Sequence, residues 1–299
     1  MNVLSLFNGM SIGKMAFKDA GVTVNKYYIS EIDKYANQAT ECLFPDSIQL
    51  GSVCDWESWD IDWSSIDMVT GGFPCQAWSM AGKQLGDKDD RGMLFWVMLD
   101  IMKMVRKHNA NADFLIENVK MKKEFEEYIT HHTEKALGIV HKVLINSALV
   151  SAQNRNRYYW TSFPVTQPAD EGVLLNDVMD VGVKGFDISE TQLKRLDISG
   201  MKDGGGAICF QKKGINSDKS QCLMARDYKG ISGKQHFTVF MENGTVRKPS
   251  PREYMRLQTI PEHYINKLLN TGISNTQLYK MTGNAWTMKV ISHILKCMA

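Results

Sequence analysis

Short apolar runs alternate with amphipathic stretches through residue 162. Strands are expected at 2–7, 26–30, 47–50, 67–71, 113–117, 142–146 and 158–162, with helices between them at 13–20, 33–42, 92–107 and 120–137. This alternation predicts an α/β fold: a doubly wound, mostly parallel sheet with helices on both faces. Sheets of this kind bind ligands at the carboxyl ends of their strands. Phe7, Glu31, the turn from Gly71 to Cys75 and Glu117 all fall at expected strand ends, so they can share one site.

Beyond residue 162 the pattern changes. Asp203-Gly204-Gly205-Gly206, Lys213-Gly214, Lys229-Gly230 and Ser232-Gly233 punctuate short mixed segments, which predicts a smaller, loop-rich lobe. Ser250-Pro251-Arg252-Glu253 then opens a helix, with Pro251 suited to the first helical position. Residues 285–297 are amphipathic and are expected to pack back on the main sheet. The resulting division is 1–162 for catalysis and cofactor binding, 163–271 for the small lobe, and 272–299 for the returning segment.

Candidate chemistry concentrates in Gly71-Gly72-Phe73-Pro74-Cys75-Gln76-Ala77-Trp78-Ser79. A cysteine behind a proline, directly after an apolar strand, is placed as a presented nucleophile. Near the start, Leu4-Ser5-Leu6-Phe7-Asn8-Gly9-Met10-Ser11-Ile12-Gly13 reads as strand, tight turn and helix start. Its glycines let the backbone approach a ligand closely, but it is not the Gly-x-Gly-x-x-Gly of dinucleotide binders. Glu31, 18 residues after Gly13, can accept hydrogen bonds from two ribose hydroxyls. Arg155 and Arg157, at alternate positions, point to one face of an extended segment.

Composition narrows the class. At 43% hydrophobic and 23% charged, the 299 residues fit a soluble globular enzyme. The longest apolar stretch, 93–105, carries Asp100 and Lys103 and is too short to cross a bilayer. No basic segment precedes the first strand, so no signal peptide and a cytoplasmic, reducing location are expected. None of the six cysteines forms a Cys-x-x-Cys pair, so no metal site is expected. His132-Thr133-Glu134 mimics a zinc-deaminase motif without its cysteines, and His132 reads as helix surface. The net charge of +2 is unremarkable, but residues 201–248 hold nine Lys/Arg against four Asp/Glu. A local basic stretch of that kind suits a phosphate backbone.

Taken in order, Phe7-Asn8-Gly9, Glu31, Pro74-Cys75, Glu117-Asn118-Val119, Gln153/Arg155/Arg157, Ser250-Pro251-Arg252-Glu253 with Arg256-Leu257-Gln258, and Gly283-Asn284-Ala285 resemble the cytosine-5 DNA methyltransferases, of prokaryotic or phage type. The resemblance spans residues 2–297. It implies S-adenosylmethionine as cofactor, held by Phe7, Gly9, Met10, Ile12, Glu31, Ile32, Ser52, Val53, Pro74, Leu94, Asn284 and Ala285. It also implies covalent catalysis, in which Cys75 adds to cytosine C6. Glu117, protonated in a dry pocket, would donate to N3 and hold the exocyclic amine. One of Arg155 and Arg157 would contact O2, and the other would brace Glu117 or the backbone.

The implied substrate is double-stranded DNA with the target base flipped out of the stack. Residues 76–92 have the composition of a lid closing over DNA, with Gln76, Ser79, Lys83 and Arg91 as DNA contacts. Arg226, Tyr228 and Lys229 are candidates for reading flanking sequence. A monomer in a bacterial or phage-infected cell, associated with the nucleoid, is the implied setting, with a cognate restriction endonuclease as the implied partner. The alternatives are a tRNA cytosine-5 methyltransferase and an inactive DNA-binding homologue; retention of Cys75 and Glu117 argues against the latter. The cofactor half departs from the common family pattern. Ser5 stands for an Asp, Ser11-Ile12 for a glycine pair, and Ser52 for an Asp that would contact the adenine amino group. The loop Phe-x-Gly-x-x-x-Gly is similar to that of the animal de novo branch.

Overall fold

The computed structural model describes residues 1–74, 92–193, 206–211, 214–216, 218–229, 237–242 and 245–298. The chain divides into two compact units. The first comprises Met1–Ile145, Asn156–Gln167 and Val290–Ala299; the second comprises Asn146–Arg155 and Pro168–Lys289. Relative to the expected limits, the second unit also takes Asn146–Arg155 and runs on to Lys289. Its hold on the first of these segments is visible in Gln153, whose Oε1 accepts from the Leu223 amide at 2.9 Å.

The first unit is built on seven strands: β1 (Asn2–Leu6), β2 (Lys26–Ser30), β3 (Ile48–Gly51), β4 (Met68–Gly71), β5 (Asp113–Val119), β6 (His141–Asn146) and β7 (Asn156–Thr161). Their order is β3-β2-β1-β4-β5-β7-β6. The pairs β1/β2, β1/β4, β2/β3 and β4/β5 are parallel, and β7 runs antiparallel to β5. Strands β1, β2 and β4 are buried along nearly their whole length, as expected where both faces are covered. The helices are α1 (Ile12–Asp19), α2 (Lys34–Leu43), α3 (Leu94–His108) and α4 (Lys123–Leu137). Helix α3 buries Phe95, Met98, Leu99, Ile101, Met102 and Val105 in the core. His132 lies on α4 and is half-buried, its ring 4.3 Å from Tyr128 and 4.7 Å from Trp96 between centroids.

From β1 the chain winds outward through β2 and β3, whereas β4 and β5 extend the sheet the other way. The order therefore reverses between β1 and β4, which is where such sheets bind ligands. Strand β5 is two residues longer than expected, so Glu117 stands inside the strand, opposite Tyr159 of β7.

The second unit carries α5 (Leu175–Val178), α6 (Glu190–Leu193), β8 (Gly206–Gln211), β9 (Gly214–Asn216), β10 (Phe237–Glu242) and β11 (Thr245–Arg247). These strands form an antiparallel sheet in the order β11-β10-β8-β9. Helices α7 (Pro251–Leu257), α8 (Glu262–Leu269) and α9 (Asn275–Asn284) follow, and α10 (Met288–Lys296) falls mostly in the first unit. Ser250 caps α7 through a reciprocal box with Glu253, and Pro251 opens the helix. Glu253 is fully buried and forms a forked ion pair with Arg247 at 2.8 and 2.9 Å. Leu175, Leu223, Phe240, Tyr254, Leu257 and Tyr279 surround this region as an apolar core.

Candidate active site

The turn after β1 is unusually shaped. Phe7, Gly9 and Ser11 have φ of 53°, 59° and 60° respectively. For residues with a Cβ this left-handed region costs on the order of 1–2 kcal/mol each. Gly9 avoids that cost, and a Cβ built there meets nothing within 4 Å, so the backbone offers open space for a ligand. The Gly9 amide donates to Glu31 Oε2 at 2.8 Å, and the amides of Ile32 and Asp33 donate to Oε1 at 2.8 Å. Glu31 is thus fixed by three backbone donors in the loop between β2 and α2. Asp33 caps α2 by accepting from the Tyr35 amide at 2.9 Å.

Ser5 and Ser11, two of the departures from the family pattern, both bond Asn8. Ser5 Oγ donates to Asn8 Oδ1 at 3.0 Å, and Asn8 Nδ2 donates to Ser11 Oγ at 2.8 Å. Tyr27 lies fully buried beneath the same loop, and burial pushes its phenol well above the usual range. Ser52 caps the 3-10 helix Val53–Ser58, accepting from the Cys54 amide at 3.1 Å. Met10 and Ile12 are buried, whereas Ile32 is 79% exposed.

At the carboxyl end of β4, Gly71 pairs with Ile116, which brings Phe73 beside Asn118. Asn118 Nδ2 donates to the Phe73 carbonyl at 3.0 Å, and its Oδ1 accepts from the Val119 amide at 2.8 Å. This buried amide anchors the backbone directly ahead of Pro74. Phe73 packs on Phe95, and Leu94 opens α3. Next to Asn118, Glu117 Oε1 lies 2.9 Å from Arg157 Nε, with both side chains largely buried. Cys75, Gln76, Ser79, Lys83 and Arg91 lie outside the described residues.

Arg155 ends the first segment of the second unit, one residue before β7. Its guanidinium donates to the carbonyls of Leu223 (3.1 Å), Gly283 (3.3 Å) and Ala285 (2.8 Å), and to Cys222 Sγ (3.3 Å). The two arginines therefore serve different groups: Arg157 pairs with the Glu117 carboxyl group and donates to its neighbour's carbonyl at Asn156 (2.9 Å), whereas Arg155 holds the oxygens of Leu223, Gly283 and Ala285. Asn284 ends α9, with Ala285 as its cap. Arg226 and Lys229 are exposed, and Lys229 Nζ lies 5.8 Å from the Tyr228 ring centroid. Between them, Asp227 is half-buried and accepts from the Met224 amide at 2.8 Å, and burial pushes its carboxyl up to about 6.

The folded-state value of Asp227 exceeds its unfolded one. Its contribution to stability is therefore complete below the unfolded value and is lost as pH rises through about 6. Asp227→Asn should raise the thermal midpoint at pH 8 and leave it nearly unchanged at pH 4, as calorimetry at the two pH values would show.

Comparison with known proteins decides the family. The C-5 cytosine-specific DNA methylase pattern matches residues 1–196 and 207–299. The chain belongs to that family. It is 30% identical to the type II methyltransferase M1.ScrFI of Lactococcus lactis subsp. cremoris, over 99% of this chain and 77% of the relative. It is also 30% identical to M.NgoBI of Neisseria gonorrhoeae, over 96% and 90%. Among solved structures, a DNMT2 of Spodoptera frugiperda has a TM-score of 0.67 at 22% identity, covering 99% of both chains. The methyltransferase EhMeth of Entamoeba histolytica has a TM-score of 0.73 at 14% identity, covering 100% of this chain and 97% of its own. These two likenesses show the fold. As a cytosine-5 methyltransferase, the chain has no helix among its described residues long and apolar enough to cross a membrane. Nor do its described residues group three or more metal-binding side chains.

Sequence reasoning passed over several residues of this methylase. Asn118 stood inside a recognised motif without a role. Thr40, whose Oγ1 lies 2.8 Å from Ser11 Oγ, gave no signal beyond an inward helical position. Gly283 is required by space: a Cβ there would stand 2.3 Å from the Met224 carbonyl carbon and 2.5 Å from the Ala225 nitrogen. Gly283→Ala should cost about 3 kcal/mol, the upper range for overpacking, and lower the thermal midpoint by several degrees. Calorimetry of the variant checks this.

Proposed function

We propose that the chain transfers a methyl group from S-adenosylmethionine to C5 of cytosine in a short duplex DNA sequence, with Cys75 as nucleophile. The observation that carries this reading is the Glu117–Arg157 pair beside Asn118, the residue that anchors the Phe73 carbonyl just ahead of Pro74-Cys75. The residues after β1 and β2 fit the cofactor. Gly9 leaves open space, Glu31 offers a fixed carboxylate for ribose hydroxyls, and exposed Ile32 offers an apolar surface for a purine. Phe7, Met10, Ile12, Val53, Pro74, Leu94, Asn284 and Ala285 complete the proposed contacts. Ser52 retains acceptor capacity for the adenine amino group beside its capping bond.

Bound there, S-adenosylmethionine supplies an electrophilic methyl group. The Cys75 thiolate adds to C6 of a flipped cytosine, making C5 a carbon nucleophile. Glu117 donates to N3, where charge develops, and holds the exocyclic amine. Arg157 orients Glu117 and faces O2. Arg155 braces the backbone of Leu223, Gly283 and Ala285. Loss of the C5 proton, with water as the candidate base, and departure of the thiolate restore the aromatic ring.

Within this reading, 1–162 is the catalytic domain, 163–271 reads DNA and 272–299 returns to the catalytic domain. Arg226, Tyr228 and Lys229 are proposed DNA contacts, as are Gln76, Ser79, Lys83 and Arg91. A cognate restriction endonuclease, a monomeric state and a cytoplasmic, nucleoid-associated location complete the proposal. Labelled cofactor incubated with duplex DNA and with tRNA tests it. Label should enter DNA at cytosine, with bisulfite sequencing reporting the site; label entering tRNA alone would overturn the DNA reading.

A further inference from the structure

Four polar side chains beneath the cofactor turn are joined in a single direction. Asn8 Nδ2 donates to Ser11 Oγ at 2.8 Å. Ser11 Oγ lies 2.8 Å from Thr40 Oγ1, and with the single hydrogen of Thr40 committed to the Gly9 carbonyl, the Ser11 hydroxyl is the donor. Thr40 Oγ1 then donates to the Gly9 carbonyl at 3.4 Å, which also accepts from Asn8 Nδ2 at 3.1 Å. Ser5 Oγ enters the chain at Asn8 Oδ1. Ser11 and Thr40 are fully buried, so neither hydroxyl can fall back on solvent.

Both backbone groups of Gly9 are consequently held. Its carbonyl faces Thr40 and Asn8, and its amide faces the Glu31 carboxylate at 2.8 Å. Ser11 sits at φ 60° as the residue ahead of α1, a conformation that strains a side chain and needs external support. Support comes from α2, through Thr40, a residue 29 positions away in the chain.

We propose that Thr40 is a positioning residue for the adenosyl cofactor: through Ser11 and the Gly9 carbonyl, it fixes the left-handed turn and with it the amide that orients Glu31. This rests on the cofactor reading given above. Thr40 touches neither cofactor nor DNA in this assignment, and it acts through the loop. Removing its hydroxyl leaves the buried Ser11 hydroxyl without its acceptor and frees the turn to sample conformations that do not bind, which lowers apparent affinity.

The test is calorimetric titration with S-adenosylhomocysteine, alongside steady-state methylation of duplex DNA. Thr40→Val should weaken binding and raise KM for the cofactor about tenfold, with kcat at saturating cofactor within about twofold. Thr40→Ser should restore both. Ser11→Gly guards against simple misfolding. Glycine accepts φ 60° without strain, so thermal stability should hold or rise while affinity again falls about tenfold. Either of two results overturns the inference: both variants binding S-adenosylhomocysteine as the unmodified protein does, or kcat falling with affinity unchanged. An unmodified protein that fails to bind S-adenosylhomocysteine at all would instead overturn the cofactor reading, and this inference with it.

Discussion

Duplex DNA carrying 5-fluorocytosine at the target position should end as an irreversible adduct through Cys75. Addition of the thiolate to C6 and methylation at C5 can both proceed. Release then requires loss of the C5 substituent as a cation, which fluorine cannot do, so the thioether persists. A denaturing gel would show the DNA shifted with the protein, and peptide mapping would place the link at Cys75. Cys75→Ser should still bind DNA while methylating on the order of 10³-fold more slowly or worse, since the nucleophile is lost. An active preparation that forms no adduct would remove the covalent mechanism. An adduct at another cysteine would keep the mechanism and move the nucleophile.

Glu117→Gln should lower turnover by about 10²- to 10⁴-fold, the range expected when a general acid is removed. Glutamine can still hold the exocyclic amine and accept from Arg157, but it cannot deliver a proton to N3. Cofactor affinity should stay within about twofold. Most of the residues proposed to hold the cofactor stand after β1, β2 and β3, where Glu31 is fixed by the amides of Gly9, Ile32 and Asp33. Single-turnover methylation together with a binding titration separates the two effects. Turnover within about threefold of the unmodified protein would exclude Glu117 as the proton donor.

The central sheet was legible because β1, β2 and β4 are covered on both faces and are written as short, mostly apolar runs. Glu31 and Glu117 were legible for a related reason, as acids standing where such runs stop. The small lobe was not readable as a sheet. Its strands are short and glycine-flanked, and β9 and β11 are three residues each, too short for alternation to register. Arg155 was legible as a motif residue, with contact to O2 or bracing of the backbone as its open roles, but the groups it braces were not. Its acceptors Leu223, Gly283 and Ala285 lie 68, 128 and 130 positions away, and no local pattern encodes such pairings. Thr40 was hidden differently. A threonine on the inward side of a helix reads as filler, and only the φ of Ser11 reveals that its hydroxyl is needed.

The obstacle facing Gly283 has a bearing on how this sequence can change over time. A clash with a neighbouring side chain can be relieved by trimming that neighbour, but here the crowding atoms are the main chain of Met224 and Ala225. Every amino acid has the same atoms there. A selection for revertants of Gly283→Ala should therefore return glycine itself, or changes that shift the 221–229 segment bodily, and never a compensating side chain at 224 or 225. Drift can pass through most surface positions of this protein in either order; at this one it has no intermediate to stand on.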